Sequence, residues 1–319
     1  MPSAREYDCI IIGAGAAGLT AAIYAARRTL KTLVITKDLG GQASIAGIVE
    51  NYPGLGKTNG LEIMEQFKKQ AEDSGAEIIY QEVNKIEKTD SEFRITTSKE
   101  EFIGKTVILA FGLTPRDLGV PGENGLKNRG VSYCSTCDGP LFKNKTVIVV
   151  GGGNSALDSA ELLSKIANEV YLIHRQDFFR GENIILDKIK QKENVKILLN
   201  SEVVEIHGSN KVEAVSIKNN QTEEEDKINC DGVFVEVGYI AKTDIVKDLV
   251  DRNDRNQIVI NSNCETSCPG VFAAGDVTDI VYKQVVISAG EGAKAALQTY
   301  KYLQRKTGRQ GGVDWGEKK

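Results

Sequence analysis

The sequence predicts an α/β protein of two similar parallel-sheet units, one inserted into the other, and three observations carry that expectation. An apolar run, Tyr7 to Ile12, breaks into Gly13, Ala14, Gly15, Ala16, Ala17, Gly18 and then a helical stretch. The same grammar returns where Thr146 to Val150 breaks into Gly151, Gly152, Gly153, Asn154, Ser155, Ala156. Near the end, Val271 to Asp276 (VFAAGD) reads as a buried strand closed by Gly275 and Asp276. Val285 to Leu303, after it, reads as an amphipathic helix, and this pair needs a sheet to join.

The length of 319 residues favours two domains at about 150 residues each. A composition 41% hydrophobic and 26% charged is that of an ordinary globular chain, which excludes wholesale disorder. No apolar run approaches the ~18 residues of a transmembrane helix, so no membrane association is expected. A net charge of −4 without a basic stripe argues against nucleic acid. The start, MPSAREYDCIIIGAG, lacks a basic region and cleavage site before its apolar stretch, so a cytoplasmic location is expected. Six cysteines are too few for a disulfide scaffold, and the 32 glycines, about 10% against a usual ~7%, suit a chain rich in tight loops.

Strand, GxGxxG, helix (Thr20 to Leu30) and strand (Thr32 to Thr36) make the opening of a Rossmann-like dinucleotide fold. Gly13 would make the turn, Gly15 would let the backbone approach a pyrophosphate, and Gly18 would let helix and strand pack closely. In the second unit a helix is expected from about Ala156 to Ala167 and a strand from Val170 to Ile173. Each fingerprint is followed by short alternating strands forming a small β-meander, around Glu77 to Phe111 and Val195 to Val237. Both series end in an apolar strand closed by glycine, VILAFG at Gly112 and VFVEVG at Gly238. The domains are therefore 1–115 with 243–319, discontinuous, and 116–242, inserted, with hinges near Pro115 to Gly119 and Gly238 to Thr243. The acidic run Glu223 to Asp226 reads as a hairpin tip, and Gln304 to Lys319 as a mobile tail.

An acid at the end of the second strand suits a ribose hydroxyl, whereas arginine suits a 2′-phosphate. The inserted unit shows His174 and Arg175 there, with Arg180 one turn on, which favours NADPH over NADH. Without the fingerprint in front of them these would read as ordinary surface arginines, and His174 as a packed histidine. The first unit shows Thr36, Lys37 and Asp38 at that point, with no acid at the strand end itself, so a nicotinamide cofactor is less well supported there. If it instead holds FAD, the turn Gly40, Gly41, Gln42 and the strand-end Asp276 would supply flavin and pyrophosphate contacts, and the helix from Val285 would set its positive end toward the flavin.

Cys134, Ser135, Thr136, Cys137 precede the second fingerprint, followed by a turn-like Asp138, Gly139, Pro140. Thiols three positions apart can close a disulfide within one turn, and that disulfide can accept the two electrons of one hydride. Half of a zinc site is the competing reading, but the other close pair, Cys264 and Cys268, is widely spaced and remote, so no metal is expected. Cys9 and Cys230 read as core residues, and Asp138 as either a turn residue or a proton donor.

The segments YCSTCDGPLF, GGGNSA, IHRQDFFR, GGQ, ENYPG and VFAAGDVTDIVYKQV together resemble the low-molecular-weight, flavin-dependent thioredoxin reductases, especially archaeal-type members, over Tyr7 to Leu303. The resemblance implies a homodimer, FAD in the discontinuous domain, NADPH in the inserted one, and a thioredoxin or glutaredoxin-like protein as partner. It implies that Cys137 lies nearest the flavin, Cys134 attacks the partner disulfide, and Asp138 moves the proton. FAD contacts would fall on Gly13, Gly15, Ala16, Ala17, Gly41, Gln42, Asn51, Val83, Gly112, Gly275, Asp276, Lys283, Gln284 and Val285. NADPH contacts would fall on Gly153, Asn154, Ser155, Ala156, His174, Arg175 and Arg180. Two positions depart from the family pattern: Gln176 replaces the second arginine of HRRxxxR, and Lys283, Gln284, Val285 replace RQA. NADH or a reduced deazaflavin is therefore an alternative donor, and a ferredoxin- or flavin-NADP reductase of the same fold an alternative enzyme. A redox-sensing binding protein that does not turn over is a third reading.

Overall fold

The computed structural model describes residues 4–45 and 48–308. Its chain order begins β1 (Arg5–Ala14), α1 (Ala16–Arg27), β2 (Thr32–Leu39), α2 (Gly41–Ile45), β3 (Ile48–Val49), β4 (Thr58–Asn59) and α3 (Gly60–Asp73). Then come β5 (Glu77–Tyr80), β6 (Val83–Lys88), β7 (Phe93–Thr97), β8 (Glu101–Leu109), β9 (Thr114–Pro115), α4 (Glu123–Leu126), β10 (Val131–Ser132) and α5 (Ser135–Asp138). A 3-10 turn (Gly139–Phe142) leads into β11 (Thr146–Val150), α6 (Asn154–Ser164), β12 (Glu169–Ile173), α7 (Asn183–Lys190) and β13 (Val195–Leu198). The chain continues through β14 (Ser201–His207), β15 (Ala214–Asn219), β16 (Glu225–Asn229), β17 (Gly232–Val235) and β18 (Tyr239–Ile240). It ends with β19 (Val271–Ala273) and α8 (Val285–Lys306).

Two compact units result, Met1–Leu113 with Ala241–Lys319, and Thr114–Ile240. The crossings fall two residues before the sequence boundaries of 115 and 242. At them β9 and β18 pair antiparallel, with Tyr239 opposite Pro115. Within the inserted unit the Arg116 amide donates to Gly238 O at 2.8 Å, and the Leu118 and Gly119 amides donate to the Glu123 carboxylate at 2.9 and 2.7 Å.

In the first unit the strand order β5-β2-β1-β8-β7-β6 carries β19 as a branch on β8. One edge of β8 is shared, because β7 pairs antiparallel with its first half and β19 parallel with Val107, Ile108 and Leu109. The meander is thus continuous with the main sheet here. In the second unit the parallel sheet β10-β17-β11-β12-β13 and the meander β14-β15-β16 are separate. Alternation sorts the side chains: Ile11, Val34 and Ile108 join the residues of α1, α3 and α8, whereas Ile10, Leu33 and Val107 join Phe93, Ile95 and Phe102 of the meander. The second unit repeats this, with Val147, Val149 and Leu172 facing α6 and α7, and Ile148, Val150 and Ile173 facing Val203, Val215 and Ile217. Each such fully buried aliphatic side chain contributes about 1.5–3 kcal/mol by leaving water.

Five local expectations shift. Helix α1 starts at Ala16 rather than Thr20, because helical geometry begins as soon as the Gly13–Gly15 turn is complete. The turn read at Asp138–Pro140 is the join between α5 and the 3-10 turn, and Gly41 and Gln42 open the short helix α2. Of the acidic run, Glu225 and Asp226 belong to β16, so the hairpin tip lies at 220–224. Helix α8 enters the expected tail as far as Lys306, and residues 309–319 lie outside the described ones.

Candidate active site

The redox pair is built at the mouth of the second unit's sheet. Strand β10 delivers Ser132 and Tyr133, and the chain turns at Cys134 into α5, so that Cys134 and Cys137 close a disulfide with a Cα–Cα separation of 5.4 Å. Cys134 is the N-cap of that turn, and its Sγ accepts the Cys137 amide proton at 3.0 Å. Cys137 is exposed and Cys134 half-buried. Asp138 follows directly; its Oδ2 accepts the Ser132 hydroxyl at 2.6 Å, while the Cys134 amide donates to the same hydroxyl oxygen at 3.1 Å. From the other side the Tyr133 hydroxyl donates to Glu123 at 2.8 Å, and burial, with that carboxylate beside it, pushes the phenol's pKa well up.

In the same unit Gly151, Gly152 and Gly153 connect β11 to α6, whose N-cap, Gly153, offers no side chain to the first helical amides. Asn154, Ser155 and Ala156 open the helix, Asn154 and Ser155 being exposed. A Cβ on Gly152 would collide with the His174 ring. That ring is buried, stacks on Phe179 at 5.4 Å and 22°, and has an Nε2 without a hydrogen-bond partner among the described residues. Burial, with the Arg180 and Arg175 charges, lowers its pKa, so the imidazole is neutral. The Arg180 amide bonds Gly152 O at 2.7 Å, and the Glu182 amide bonds Asn154 Oδ1 at 2.8 Å, drawing this segment over the glycine loop. Arg175, Gln176 and Arg180 are all exposed.

In the first unit Gly13 takes φ +108°, and a Cβ there would strike the Ala110 carbonyl. At Gly15 a Cβ would meet only Gly40 O at 3.7 Å, so this residue opens onto free space beside the uncapped start of α1 at Ala16 and Ala17. The Gly40 amide bonds Ala14 O at 2.7 Å, which brings Gly41 and Gln42 to the same loop. Gly275 packs on Ala17, its amide donates to the buried Glu291 at 3.1 Å, and Asp276 Oδ1 accepts the Ser288 hydroxyl at 3.0 Å. Lys283 Nζ donates to the carbonyls of Asp276 and Thr278 at 3.0 and 2.7 Å, and Asn51 Nδ2 to Gln284 Oε1 at 3.1 Å, just before α8 begins at Val285. Burial raises the Asp276 carboxyl and lowers the Lys283 ammonium. Gly112 lies beyond the end of β8, and Val83 opens β6 against the meander core; no described contact ties either to the glycine loop.

These loops fit dinucleotides on grounds of their own. Helices α1, α6 and α8 start without a capping side chain at the loops in question, whereas α3 is capped by Asn59, which accepts the Leu61 amide at 2.8 Å. Open amides at a helix start are an anion site. The orphaned His174 Nε2 and the space at Gly15 give ligand atoms somewhere to go. Among the described residues no cluster is arranged to hold a metal ion, and no helix is long and apolar enough to cross a membrane.

Sequence reasoning missed Ser132, Glu123 and Glu291, which come from separate segments with no spacing to betray them. It also missed Glu236, although that residue is the one charge in VFVEVG.

A closed dithiol pair in one of two glycine-loop units defines an oxidoreductase of the disulfide-handling kind. Residues 7–294 match the pyridine nucleotide-disulphide oxidoreductase model, and the chain belongs to that family. It is 42% identical to a thioredoxin reductase of Treponema pallidum, over 93% of this chain and 97% of that protein. It is 39% identical to a component of the alkyl hydroperoxide reductase of Staphylococcus aureus over 94% of this chain, but spans only 60% of that longer relative. The structure superposes on a Lactococcus lactis thioredoxin reductase with a TM-score of 0.86 at 36% identity, covering 94% of this chain and 99% of the other.

Proposed function

We propose that this chain is a thioredoxin-disulfide reductase, carrying an electron pair from NADPH through FAD and the Cys134/Cys137 disulfide to a thioredoxin or glutaredoxin-like protein. The observation that carries the reading is the Cys134–Cys137 disulfide, closed on a helical turn within a family member of matching length. The discontinuous unit holds FAD and the inserted unit holds NADPH. Bound FAD supplies two-electron transfer between the nicotinamide and the disulfide. Per cycle NADPH and one proton are consumed, the S–S bond breaks, and two thiols form.

The chain's own residues then have distinct tasks. Gly13, Gly15, Ala16 and Ala17 would hold the FAD pyrophosphate, and Gly41, Gln42, Asn51, Gly275, Asp276, Lys283, Gln284 and Val285, with Val83 and Gly112 further from the loop, would hold the remainder. Gly153, Asn154, Ser155 and Ala156 would hold NADPH, with His174, Arg175 and Arg180 available to its 2′-phosphate. Cys137 takes the first electrons. Cys134 attacks the partner, which its N-cap position supports, because the Cys137 amide aimed at Sγ at 3.0 Å favours a thiolate there. Asp138, held by Ser132, exchanges the proton with the departing sulfur.

The working form is a homodimer in the cytoplasm. Exposed Val281 and Tyr282 offer apolar surface for a second copy, and four cysteines without disulfide partners suit a reducing compartment. An anaerobic NADPH titration tests the reading. Uptake of two equivalents per flavin, followed by turnover with thioredoxin, is expected; one equivalent without disulfide turnover would make the protein a plain flavin or ferredoxin-NADP reductase. A flavin left oxidised by NADPH but reduced by NADH or a reduced deazaflavin would reassign the donor.

A further inference from the structure

A hydrogen-bonded chain runs from the redox turn to a carboxyl that the mechanism above does not use. The Ser135 and Ser159 hydroxyls lie 2.8 Å apart, and Ser159 Oγ donates to Glu236 Oε1 at 2.7 Å. Both serines are buried, at 7% and 3% exposure. Three elements meet here: Ser135 is the first residue of α5 and adjoins Cys134, Ser159 lies on the inner face of α6, and Glu236 follows the last residue of β17. The Glu236 amide bonds Val150 O at 2.8 Å and its backbone carbonyl lies against Gly151, so the residue stands beside the glycine loop, where the strand order of the sheet reverses.

We propose that Glu236 is a positioning residue for the Cys134/Cys137 turn, setting through Ser159 which way the Ser135 hydroxyl points its proton. The inference rests on the disulfide-reductase reading, since it concerns the dithiol state of that turn. An ionised carboxylate only accepts, so Ser159 must give it its proton and must therefore accept from Ser135. The Ser135 proton is then committed to Ser159 and unavailable to the turn. A protonated Glu236 donates to Ser159 instead; Ser159 turns its proton to Ser135, and Ser135 is free to donate within α5. A thiolate formed on opening the disulfide is the acceptor that gains from such a donor.

The surroundings suit a carboxyl that changes state near neutrality. Burial pushes the Glu236 carboxyl up to about 7, with the Ser159 bond opposing and the Asp158 charge on α6 adding to the rise. On β18 the pKa of the Tyr239 phenol is raised by its own burial and by the Glu236 charge. The glycine loop after β11 carries no charge, and the charged group of α5, Asp138, is bonded to Ser132.

The test uses the whole protein with its bound cofactor, reduced by dithiothreitol and freed of it. Iodoacetamide alkylation of Cys134 and Cys137 is followed by mass spectrometry between about pH 5.5 and 9.5. The wild type is expected to show two steps, one near neutrality from Glu236 and one from the thiols, with extra reactivity on the acid side. E236Q, which cannot titrate, is expected to show a single step. S159A keeps the carboxyl but cuts the chain, and a single step there supports the proposal. A two-step profile in S159A would leave only a through-space charge effect and overturn it, as would an E236Q profile superposing on the wild type. Thermal melting of both variants checks that they fold. Because the readout needs only a reducible pair, failure of NADPH turnover would sink the enzymatic reading while leaving this result interpretable.

Discussion

The Ser132 hydroxyl donates to Asp138 Oδ2 at 2.6 Å while its oxygen accepts the Cys134 amide at 3.1 Å, so one buried side chain fixes the carboxylate and the neighbouring cysteine backbone together. If Asp138 serves the sulfur, D138N should lower disulfide turnover by about 10²-fold or more, the usual contribution of a placed acid or base. S132A removes one bond to a charged acceptor, about 1.5–3 kcal/mol, and should slow the same step by roughly 10- to 100-fold. Stopped-flow measurement separates the steps: donor-driven bleaching of the flavin should keep its wild-type rate in both variants. Equal loss in both steps would demote Asp138 to a turn residue.

Arg175 and Arg180 are exposed, and their charges add to burial in lowering the pKa of His174. A 2′-phosphate gives the planar guanidinium fork of such arginines a bidentate partner. R175A and R180A should each raise KM for NADPH about 10-fold or more while leaving NADH nearly unchanged. Q176R, which adds a third fork, should lower KM for NADPH by several-fold. Steady-state kinetics with both nucleotides decides this, and a parallel change for NADH would place the arginines away from the phosphate.

How much of this was legible depends on whether a feature is local. The two glycine loops and the CSTC turn are contiguous signals, and each fixes a strand end, a loop and a helix start in one stretch. The return of VFAAGD to the first sheet followed from the need of a buried strand for neighbours, and β19 indeed pairs with β8. The Ser132–Asp138 bond, the Glu123 clamp on Leu118 and Gly119, and the Ser135–Ser159–Glu236 chain were not legible. Each joins polar side chains whose partners are chosen by packing, and serine or glutamate in sequence carries no mark of its eventual partner. Lengths of helices and turns were misjudged where glycine is tolerated inside a helix start, as at Gly41.

Gly152 and His174 form a lock of glycine and imidazole, since a Cβ at Gly152 would sit inside the ring's space. G152A must displace the ring and disturb its stack on Phe179, an overpacking effect of about 1–3 kcal/mol. Weaker NADPH binding with FAD retained is therefore expected, because the other glycine loop belongs to the other unit. Fluorescence titration with NADP and the visible flavin band together measure this. Loss of flavin alongside the nucleotide would mean that the substitution unfolds more than its own unit.

Glu236 also predicts a pH dependence of stability whose sign is fixed by its raised pKa. A carboxyl that titrates near 7 when folded and at its ordinary 4.5 when unfolded makes the folded state hold a proton the unfolded state has lost. Its contribution is therefore most favourable below about pH 4.5, declines as pH rises toward 7, and is flat above that. At 1.36 kcal/mol per pKa unit the full decline is about 3 kcal/mol. Gln at this position has no proton to lose, so E236Q should gain stability relative to the wild type by about 2–3 kcal/mol between roughly pH 5 and pH 8. Urea denaturation of both proteins at these two values measures the difference directly. A constant offset would show that Glu236 ionises in the folded protein as readily as in water.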